Sequence, residues 1–502
     1  MASRSGDHPQ VRLEEYASSG MVAESEDVGD ALSRIKVRPT HSRKGGGGDH
    51  GAARVAHSAS ASHRQNDRYM EAFDAAFEEL SAAEAARTGI ERRGVGEASL
   101  EPPGGSSAGK MTRIAAKQVS PTADPATELV GSWIRGPRVP EGEPHAVSAQ
   151  PLMCMSMSAD EREVVVGSSD HALYVLPVGN GSSSSGRPSR GASTSRPRTL
   201  YTKKFGHTEW VTCVTHLPDR RIVSGGMDSK LCLWDATGVK CEDLLGHSGS
   251  VSCVLALNDE MVVSAGYDKM LRLWNVSRRA SSRQREVSVV KAGTAPILDV
   301  ALLFGGQRAV CGDRDGGVQL IDLQASKVLC KHANAHRGHA TSVLGSQSEE
   351  SADCCFFSGG QDGAVKVWDS RRKEAMFSLE LHIDPRSGKA GAVGFLREPA
   401  DDPNVLITAG ADGVINVLDK RQSYGVLHSF TEHLDFIYSL HLRSQLCFSG
   451  AGNGMLHVHN WKTGKLLYGL GANQAAVRAI AASGNQLVAA GDDGGVIMYD
   501  MK

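Results

Sequence analysis

Three stretches of the chain repeat one pattern, and that pattern decides the fold. Ile222-Val-Ser-Gly-Gly-Met-Asp-Ser-Lys-Leu-Cys-Leu-Trp-Asp235 returns forty residues later as Val262-Val-Ser-Ala-Gly-Tyr-Asp-Lys-Met-Leu-Arg-Leu-Trp-Asn275. A third copy is Phe356-Phe-Ser-Gly-Gly-Gln-Asp-Gly-Ala-Val-Lys-Val-Trp-Asp369. Each copy places two apolar runs around a turn that contains aspartate. A repeat with this period indicates one supersecondary unit that buries its apolar surface by stacking on its neighbours.

The pattern occurs eight times when the copies are aligned on the residue of the central turn. That position holds Asp170, Asp228, Asp268, Asp315, Asp362, Asp412, Asn453 and Asp493. The spacing is close to the ~40–45 residues of a four-stranded propeller blade, so we expect an all-β propeller over residues 126–502. Eight hairpins predict eight blades, and seven remain if one eroded copy is not a blade. Because no outer strand follows the last copy, ring closure needs an upstream strand, which we predict at residues 127–133.

Composition excludes several classes of protein. The 502 residues carry a net charge of −2, so no global field favours nucleic acid or an anionic membrane. No apolar run approaches the roughly 20 residues of a membrane helix, and the first residues lack the apolar segment of a secretory signal. None of the ten cysteines belongs to a Cys-x-x-Cys pair, which predicts small buried side chains in a reducing compartment. We expect a cytoplasmic protein, with nuclear or cytoskeletal association left open.

Residues 1–125 differ from the repeats. They are rich in Ser, Gly, Ala, Arg and Glu and poor in β-branched and aromatic residues, which predicts a largely disordered region. Apolar residues recur at helical spacing over residues 66–87, which predicts one short amphipathic helix. That helix either lies on the propeller or docks into a groove of a partner. A Ser/Arg-rich stretch at residues 179–199 is expected to form a solvated insertion in the first blade.

The repeats resemble those of the WD-repeat family. Gly206-His207, Gly246-His247 and Gly338-His339 precede the three complete copies, which end in Trp-Asp or Trp-Asn. The resemblance implies an Asp–His–Ser–Trp hydrogen-bond network in each complete blade, which is favourable only when every buried member is satisfied. The implied members are Asp228, His207, Ser224 and Trp234; Asp268, His247, Ser264 and Trp274; and Asp362, His339, Ser358 and Trp368.

No constellation of residues predicts catalysis. Residues 104–110 approach a phosphate-binding loop, but Met111 stands where Ser or Thr should reach magnesium. His457 and His459 alternate along one strand and could meet a metal ion with His433 or His441. His459, however, occupies the position of the family's Trp, which favours a core histidine. We therefore expect no enzyme activity, no cofactor and no metal site.

Binding surfaces are the expected carriers of function. In this fold the turn after the second strand and the loops that enter the blades crowd one face of the ring. The residues that precede the turn aspartate and those that follow the Gly-His position should lie on that face, where aromatic and arginine side chains are typical of binding hot spots. These residues are Met227, Tyr267, Arg314, Gln361, Trp210 and Phe436.

A second motif occurs after the third strand of two neighbouring copies. Asp369-Ser-Arg371 and Asp419-Lys-Arg421 resemble the signature of WD-repeat substrate receptors of cullin–RING ubiquitin ligases. The resemblance implies that Asp369, Arg371, Asp419 and Arg421 contact an adaptor propeller, although Leu418 replaces the family's Trp in the second copy. The same motif occurs in propellers outside ligases, since the position is exposed and polar.

Three functions are compatible with these patterns. The leading hypothesis is a non-catalytic scaffold that mediates protein–protein interactions in a multiprotein complex. The alternatives are a substrate receptor of a cullin–RING ligase and a component of ciliary or cytoskeletal assembly. The sequence does not identify a partner, because a propeller fold alone does not choose among functions.

Overall fold

The computed structural model describes residues 131, 133–178, 197–201, 204–346, 355–384 and 388–501. Within these ranges, thirty-two strands form eight four-stranded antiparallel sheets. The first strand of each sheet contacts the first strand of the next, so the sheets surround one axis as blades. The prediction of eight blades is confirmed, and seven is excluded. Residues 66–87, 104–111 and most of the insertion at 179–199 lie outside the described residues.

Blades 1 to 4 follow one another along the chain, each from its inner strand to its outer strand. Blade 1 consists of β2 (Leu152–Met157), β3 (Glu163–Ser168), β4 (Leu173–Pro177) and β5 (Arg198–Leu200). Blade 2 consists of β6 (Val211–His216), β7 (Ile222–Gly226), β8 (Lys230–Trp234) and β9 (Cys241–Leu245). Blade 3 consists of β10 (Val251–Ala256), β11 (Met261–Gly266), β12 (Met270–Asn275) and β13 (Glu286–Lys291). Blade 4 consists of β14 (Ile297–Leu303), β15 (Arg308–Asp313), β16 (Val318–Asp322) and β17 (Lys327–His332).

Blades 5 to 7 keep the same order, and blade 8 differs in its outer strand. Blade 5 consists of β18 (Ala340–Gly345), β19 (Cys355–Gly360), β20 (Ala364–Asp369) and β21 (Phe377–Glu380). Blade 6 consists of β22 (Val393–Arg397), β23 (Val405–Gly410), β24 (Ile415–Asp419) and β25 (Gly425–Phe430). Blade 7 consists of β26 (Ile437–Arg443), β27 (Leu446–Ala451), β28 (Met455–Asn460) and β29 (Lys465–Gly471). Blade 8 consists of β30 (Val477–Ala482), β31 (Gln486–Gly491), β32 (Gly495–Asp500) and β1 (Glu143–Ala146).

Helical structure in the described part is confined to short turns. Turns of 3-10 helix span Ser282–Gln284, Phe304–Gly306 and Lys420–Gln422, and a helical turn contains Trp133. No helix within the described ranges has the length and apolar character that crossing a bilayer requires.

The middle strands are buried on both faces because each sheet is packed between two neighbours. In β3, Val164 packs against blade 8 and Val165 against blade 2. All six residues of that strand are buried. This arrangement explains why the second strands of the repeats read as continuous apolar runs rather than as an alternation of apolar and polar residues.

A β-bulge at the second residue of the inner strand recurs in all eight blades. Side chains at or next to the bulge donate hydrogen bonds to the first residue of the next inner strand. Thr212 Oγ1 lies 2.5 Å from the carbonyl oxygen of Val251, and Ser252 Oγ lies 2.7 Å from that of Ile297. Each such bond satisfies a carbonyl group and fixes one blade against the next.

The ring closes by a strand other than the predicted one. Residues 127–133 were expected to supply the outer strand of blade 8, and this prediction is wrong. The closing strand is β1, in which Glu143 pairs with Met498 and Ala146 with Gly495, antiparallel to β32. The sequence Glu-Pro-His-Ala does not predict a strand, because Pro144 lacks an N–H donor. It is tolerated since β1 is the edge of its sheet.

Trp133 instead fills the core between blades 7 and 8. Its side chain is 3% exposed, and its ring meets that of Phe448 edge-on at a centroid distance of 5.4 Å. Trp133 Nε1 donates to the carbonyl oxygen of Gly484 (3.2 Å), and the Tyr468 hydroxyl donates to the carbonyl oxygen of Trp133 (2.8 Å). The indole needs apolar surroundings and an acceptor for its N–H, and this pocket provides both. An edge strand would not provide them.

Replacement of Trp133 should therefore weaken the ring at its seam. We expect Trp133→Ala to lower the free energy of unfolding by about 3–5 kcal/mol, as for other buried aromatic residues. Urea denaturation followed by fluorescence measures the change. Ile134→Ala, which removes a neighbouring side chain that is 43% exposed, is the matched control. Equal losses in the two variants would contradict the assignment of Trp133 to the core.

Candidate functional site

The His–Asp–Ser–Trp networks of blades 2 and 3 fix the loops that enter these blades. In blade 2, His207 Nδ1 lies 3.0 Å from Asp228 Oδ1 and Nε2 lies 2.8 Å from Ser224 Oγ. Trp234 Nε1 donates to the same Ser224 oxygen at 3.1 Å. Burial alone would raise the pKa of Asp228, but its bonds to His207 and to the N–H of Thr208 outweigh burial and lower it.

Blade 3 repeats this geometry residue for residue. His247 Nδ1 lies 3.0 Å from Asp268 Oδ1, Nε2 lies 2.7 Å from Ser264 Oγ, and Trp274 Nε1 donates to Ser264 Oγ at 2.8 Å. In both blades every ring nitrogen has a partner and the imidazole is shielded from solvent. These residues thus hold the architecture together and are not arranged to meet a substrate.

In blade 5 the network uses a different histidine from the predicted one. His336, not His339, contacts Asp362 Oδ1 (3.1 Å) and Ser358 Oγ (2.7 Å), and Trp368 completes the network. The histidine must precede the inner strand by four residues, as His207 and His247 do, and His339 directly precedes β18. The prediction was based on the Gly-His pair. The number of residues between the histidine and the inner strand instead determines which histidine enters the network.

Blade 6 contains a network that the sequence analysis missed. His382 Nδ1 lies 3.0 Å from Asp412 Oδ1, and Nε2 lies 2.8 Å from Thr408 Oγ1. No Gly precedes His382, extra residues separate it from β22, and Leu418 takes the place of the Trp. One sequence feature could still have indicated this network, namely the Gly two residues before the turn aspartate, because the histidine ring packs against it. A Cβ on Gly410 would lie 2.6 Å from His382 Nδ1, and one on Gly226 would lie 2.5 Å from His207 Nδ1.

Blade 7 carries a cluster of buried histidines. Asn453 replaces the turn aspartate, so His433 bonds through Nε2 to Ser449 Oγ (2.7 Å) while its Nδ1 has no partner among the described residues. His457 stacks on His433 at a centroid distance of 4.2 Å. His459 is fully buried at the Trp position, 4.2 Å from the Phe430 ring, and its Nε2 lies 3.2 Å from Glu432 Oε2. Within the described residues these nitrogens do not converge as metal ligands would.

One face of the ring is built by the turns and loops that the networks hold, and we call it the loop face. It consists of the loops between blades and the turns between the second and third strands. The backbone N–H before each turn residue donates to the carbonyl oxygen of the residue before the inner strand: Met227 to Trp210 (2.9 Å), Tyr267 to Ser250 (2.8 Å), Arg314 to Pro296 (2.9 Å), Gln361 to His339 (2.8 Å) and Gly452 to Phe436 (2.9 Å). All six predicted interaction residues therefore stand at the inner ends of the blades on this face.

Exposed apolar side chains accompany the predicted interaction residues on the loop face. The described loops between blades, and the strand ends that lead into them, expose the apolar side chains of Tyr201, Phe205, Leu245, Ile383, Leu434 and Phe436. The opposite face also exposes apolar side chains, at Val239 in the turn after β8 and at Ile134 and Val139 in the segment before β1. Because exposed apolar groups beside aromatic and arginine side chains are typical of interaction sites, the loop face is the candidate site for partners.

The two Asp-x-Arg motifs lie on the opposite face, after the third strands of blades 5 and 6. The Arg371 guanidinium donates to both oxygens of Asp369, through Nε at 3.0 Å and Nη2 at 2.9 Å. Arg421 does the same with Asp419, at 3.0 and 3.1 Å. The bond from Arg421 lowers the pKa of Asp419. Both aspartates are buried and both arginines are exposed, so each fork fixes a guanidinium that still faces solvent.

The histidines of blade 7 make stability depend on pH. Burial and the neighbouring histidines lower the pKa of His433 to about 3, and burial lowers that of His459 to about 4, from an ordinary value of 6.5. The unfolded chain therefore binds more protons below pH 6.5. The stability that the neutral imidazoles provide is present above pH 6.5 and is lost as the pH falls toward 4.

We expect the free energy of unfolding to fall between pH 6.5 and 4 by up to about 1.4 kcal/mol per pH unit for each of these groups. His459→Trp, which restores the residue of the complete blades, should reduce the slope. Urea denaturation at several pH values measures it. His428→Gln removes a half-exposed histidine from edge strand β25 and serves as control. An unchanged slope in His459→Trp would refute the role of His459.

Known proteins resemble this chain in the sequence of its repeats. The family model "WD domain, G-beta repeat" matches residues 198–235, 238–275 and 330–369. WD repeat-containing protein 55 of Arabidopsis thaliana is 26% identical over 165 residues, which cover 32% of this chain and 42% of that protein. The Denticleless protein homolog of Gallus gallus is 29% identical over 162 residues, which cover 27% of this chain and 22% of that protein. The matched stretches thus span less than half of these relatives.

Solved structures show the same fold across the ring. The Saccharomyces cerevisiae protein Sqt1 superposes with a TM-score of 0.58 at 12% identity, covering 70% of this chain and 96% of that one. The computationally designed Ika8 protein superposes with a TM-score of 0.55 at 21% identity, covering 71% and 98%. With the matched repeats, the hydrogen-bond networks and the eight blades, these findings assign the chain to the WD-repeat β-propeller family.

Proposed function

We propose that this protein is a non-catalytic scaffold that binds other proteins through the loop face of its propeller. WD-repeat propellers generally act by binding proteins, and the apolar side chains exposed between the blades carry the proposal for this chain. The polar groups that could suggest catalysis in blades 2, 3, 5 and 6 are occupied by the networks. A cytoplasmic location remains part of the proposal.

Blades 2 and 3 offer the strongest part of that face. Trp210 and Met227 are half-buried neighbours joined by their backbone bond, and Tyr267 stands at the same position of the next blade. Ser250 Oγ donates to the Met227 carbonyl oxygen at 3.4 Å, which links the two blades at this point. Aromatic side chains fixed on a rigid rim bind with little loss of conformational entropy, which is typical of hot spots.

A double variant with one substitution at blade 2 and one at blade 7 tests the loop face. We expect Trp210→Ala/Phe436→Ala to weaken binding of partners by about 30-fold or more, since one hot-spot residue is worth about 2 kcal/mol. Quantitative mass spectrometry of proteins that co-purify with the full chain measures the loss. The control, Leu329→Ala/Phe377→Ala, removes exposed apolar side chains from edge strands β17 and β21. Partners retained by both variants would contradict binding through the loop face.

A substrate receptor of a cullin–RING ligase is the second candidate, and the two arginine forks support it. Neighbouring blades present guanidinium groups of equal geometry on the same face, each held by its own buried aspartate. Such pre-organised cations suit a protein surface that offers acceptors at blade spacing. In this arrangement the loop face would bind the substrate and the opposite face the adaptor.

The receptor candidate depends on Arg371 and Arg421. We expect Arg371→Ala/Arg421→Ala to abolish co-purification of an adaptor propeller and its cullin while recovery of loop-face partners is unchanged. Arg162→Ala/Arg278→Ala removes two other exposed arginines from the same face and is the matched control. Absence of the adaptor from the wild-type sample, or its retention by the first variant, would exclude this candidate. Recovery of ciliary or cytoskeletal proteins instead would favour the third function.

A further inference from the structure

Two thiols and a carboxylate come together in the outer half of blade 2. Cys232 lies on β8, and Cys241 and Asp243 lie on the adjacent strand β9. Cys232 is directly opposite Asp243 in the antiparallel register, and Cys241 precedes Asp243 by two residues. Because side chains alternate along a strand, all three lie on the same face of the sheet. The cysteines are separated by eight residues, so no metal-binding spacing was evident in the sequence.

The distances between these donor atoms match those around a metal ion. Cys232 Sγ lies 3.6 Å from Asp243 Oδ1, and Cys241 Sγ lies 3.8 Å from the same oxygen. All three ligand atoms lie within 4.8 Å of one another. A tetrahedral Zn²⁺ with bonds of about 2.3 Å to sulfur and about 2.0–2.2 Å to oxygen requires a sulfur–oxygen separation of about 3.6 Å. Both sulfur–oxygen distances therefore agree with those around a coordinated ion.

The equivalent position of the next blade shows that this cluster is not part of the repeat. Arg272 of blade 3 replaces Cys232 and pairs with Glu286 at 2.7 Å. In blade 2 the charge of Asp243 is matched by Lys230, whose Nζ lies 2.7 Å from Asp243 Oδ2. The other oxygen, Oδ1, accepts hydrogen bonds from both thiols, whose protons an ion would replace.

We propose that Cys232, Cys241 and Asp243 form a binding site for one divalent thiophilic metal ion, with Zn²⁺ as the physiological occupant. The ion replaces the protons of the two thiols, which leave to solvent. Two thiolates and one carboxylate supply three negative charges, which the ion and the Lys230 ammonium balance. A water molecule takes the fourth position. The metal ties β8 to β9 beside the loop that enters blade 2, because the Gly206 N–H also donates to Asp243 Oδ1 (3.3 Å).

Titration of the metal-free full chain with Cd²⁺ tests the site, because thiolate–cadmium bonds produce an ultraviolet charge-transfer band. We expect one equivalent to bind and Zn²⁺ to compete for it. Loss of a group that only supports a metal ligand weakens binding by about 10–100-fold. Cys241→Ser and Asp243→Asn each remove a ligand and should weaken binding by more than that. Cys241 is half-buried, so its substitution spares the fold better than that of Cys232, and a thermal melt verifies folding.

Cys154→Ser is the matched control. The Cys154 thiol contacts the Val211 carbonyl oxygen, and Ser439 donates the equivalent bond in blade 7, so serine suits this position. Cys154→Ser should bind Cd²⁺ as the wild type does. The proposal is overturned if the wild type shows no charge-transfer band, if folded Cys241→Ser retains it, or if mass spectrometry finds a Cys232–Cys241 disulfide in a chain that binds no metal after reduction.

Discussion

Burial of both faces of every sheet is the constraint on which the structure depends. A blade placed between two neighbours has no solvent-facing side, so its second strand is buried along its length and consists mainly of apolar and small residues. The bulge in each inner strand and the hydroxyl bonds across it then fix the distance between blades. Surface available to partners is thereby limited to the two faces of the ring and the outer edges.

The buried networks explain why the loop face can be both rigid and variable. In blades 2, 3, 5 and 6 a histidine ties the entry loop to the turn between the second and third strands. The position before the turn residue differs between blades and holds Met227, Tyr267, Arg314, Gln361 and Gly452. Blade 7 lacks the turn aspartate and gathers extra histidines, and burial lowers the pKa of His433 there, so the stability of its entry loop depends on pH.

Much of this fold could be predicted because it follows from local pattern. The turn aspartates and the apolar strands predicted eight blades, and the complete repeats of blades 2 and 3 located every member of their networks. Prediction was wrong where three-dimensional context decided. His336 replaces His339 because its distance from β18 matters more than a preceding Gly. Trp133 was wrongly assigned to a strand. Its burial between blades 7 and 8 depends on residues distant in the chain, which the local sequence does not show.

The candidate sites were predictable to different degrees for the same reason. The loop-face residues follow from position within the repeat, so the sequence located them, although their partners depend on surfaces of other molecules. The arginine forks follow from a contiguous motif. The Cys232–Cys241–Asp243 cluster depends on the register between β8 and β9, which eight intervening residues conceal. His382 was missed because the extra residues before β22 disrupt the spacing on which recognition depends.

Closure of the ring by β1 has a consequence for the order of events during synthesis. Among the described strands, the ribosome makes β1 first, whereas β32, with which β1 pairs, comes last. At about 5–20 residues per second, the stretch from Ala146 to Gly495 takes roughly 20–70 s to translate. During that time blades 1 to 7 can form in turn, while both ends of the growing stack expose apolar sheet faces. Both of these faces become buried together when blade 8 is complete.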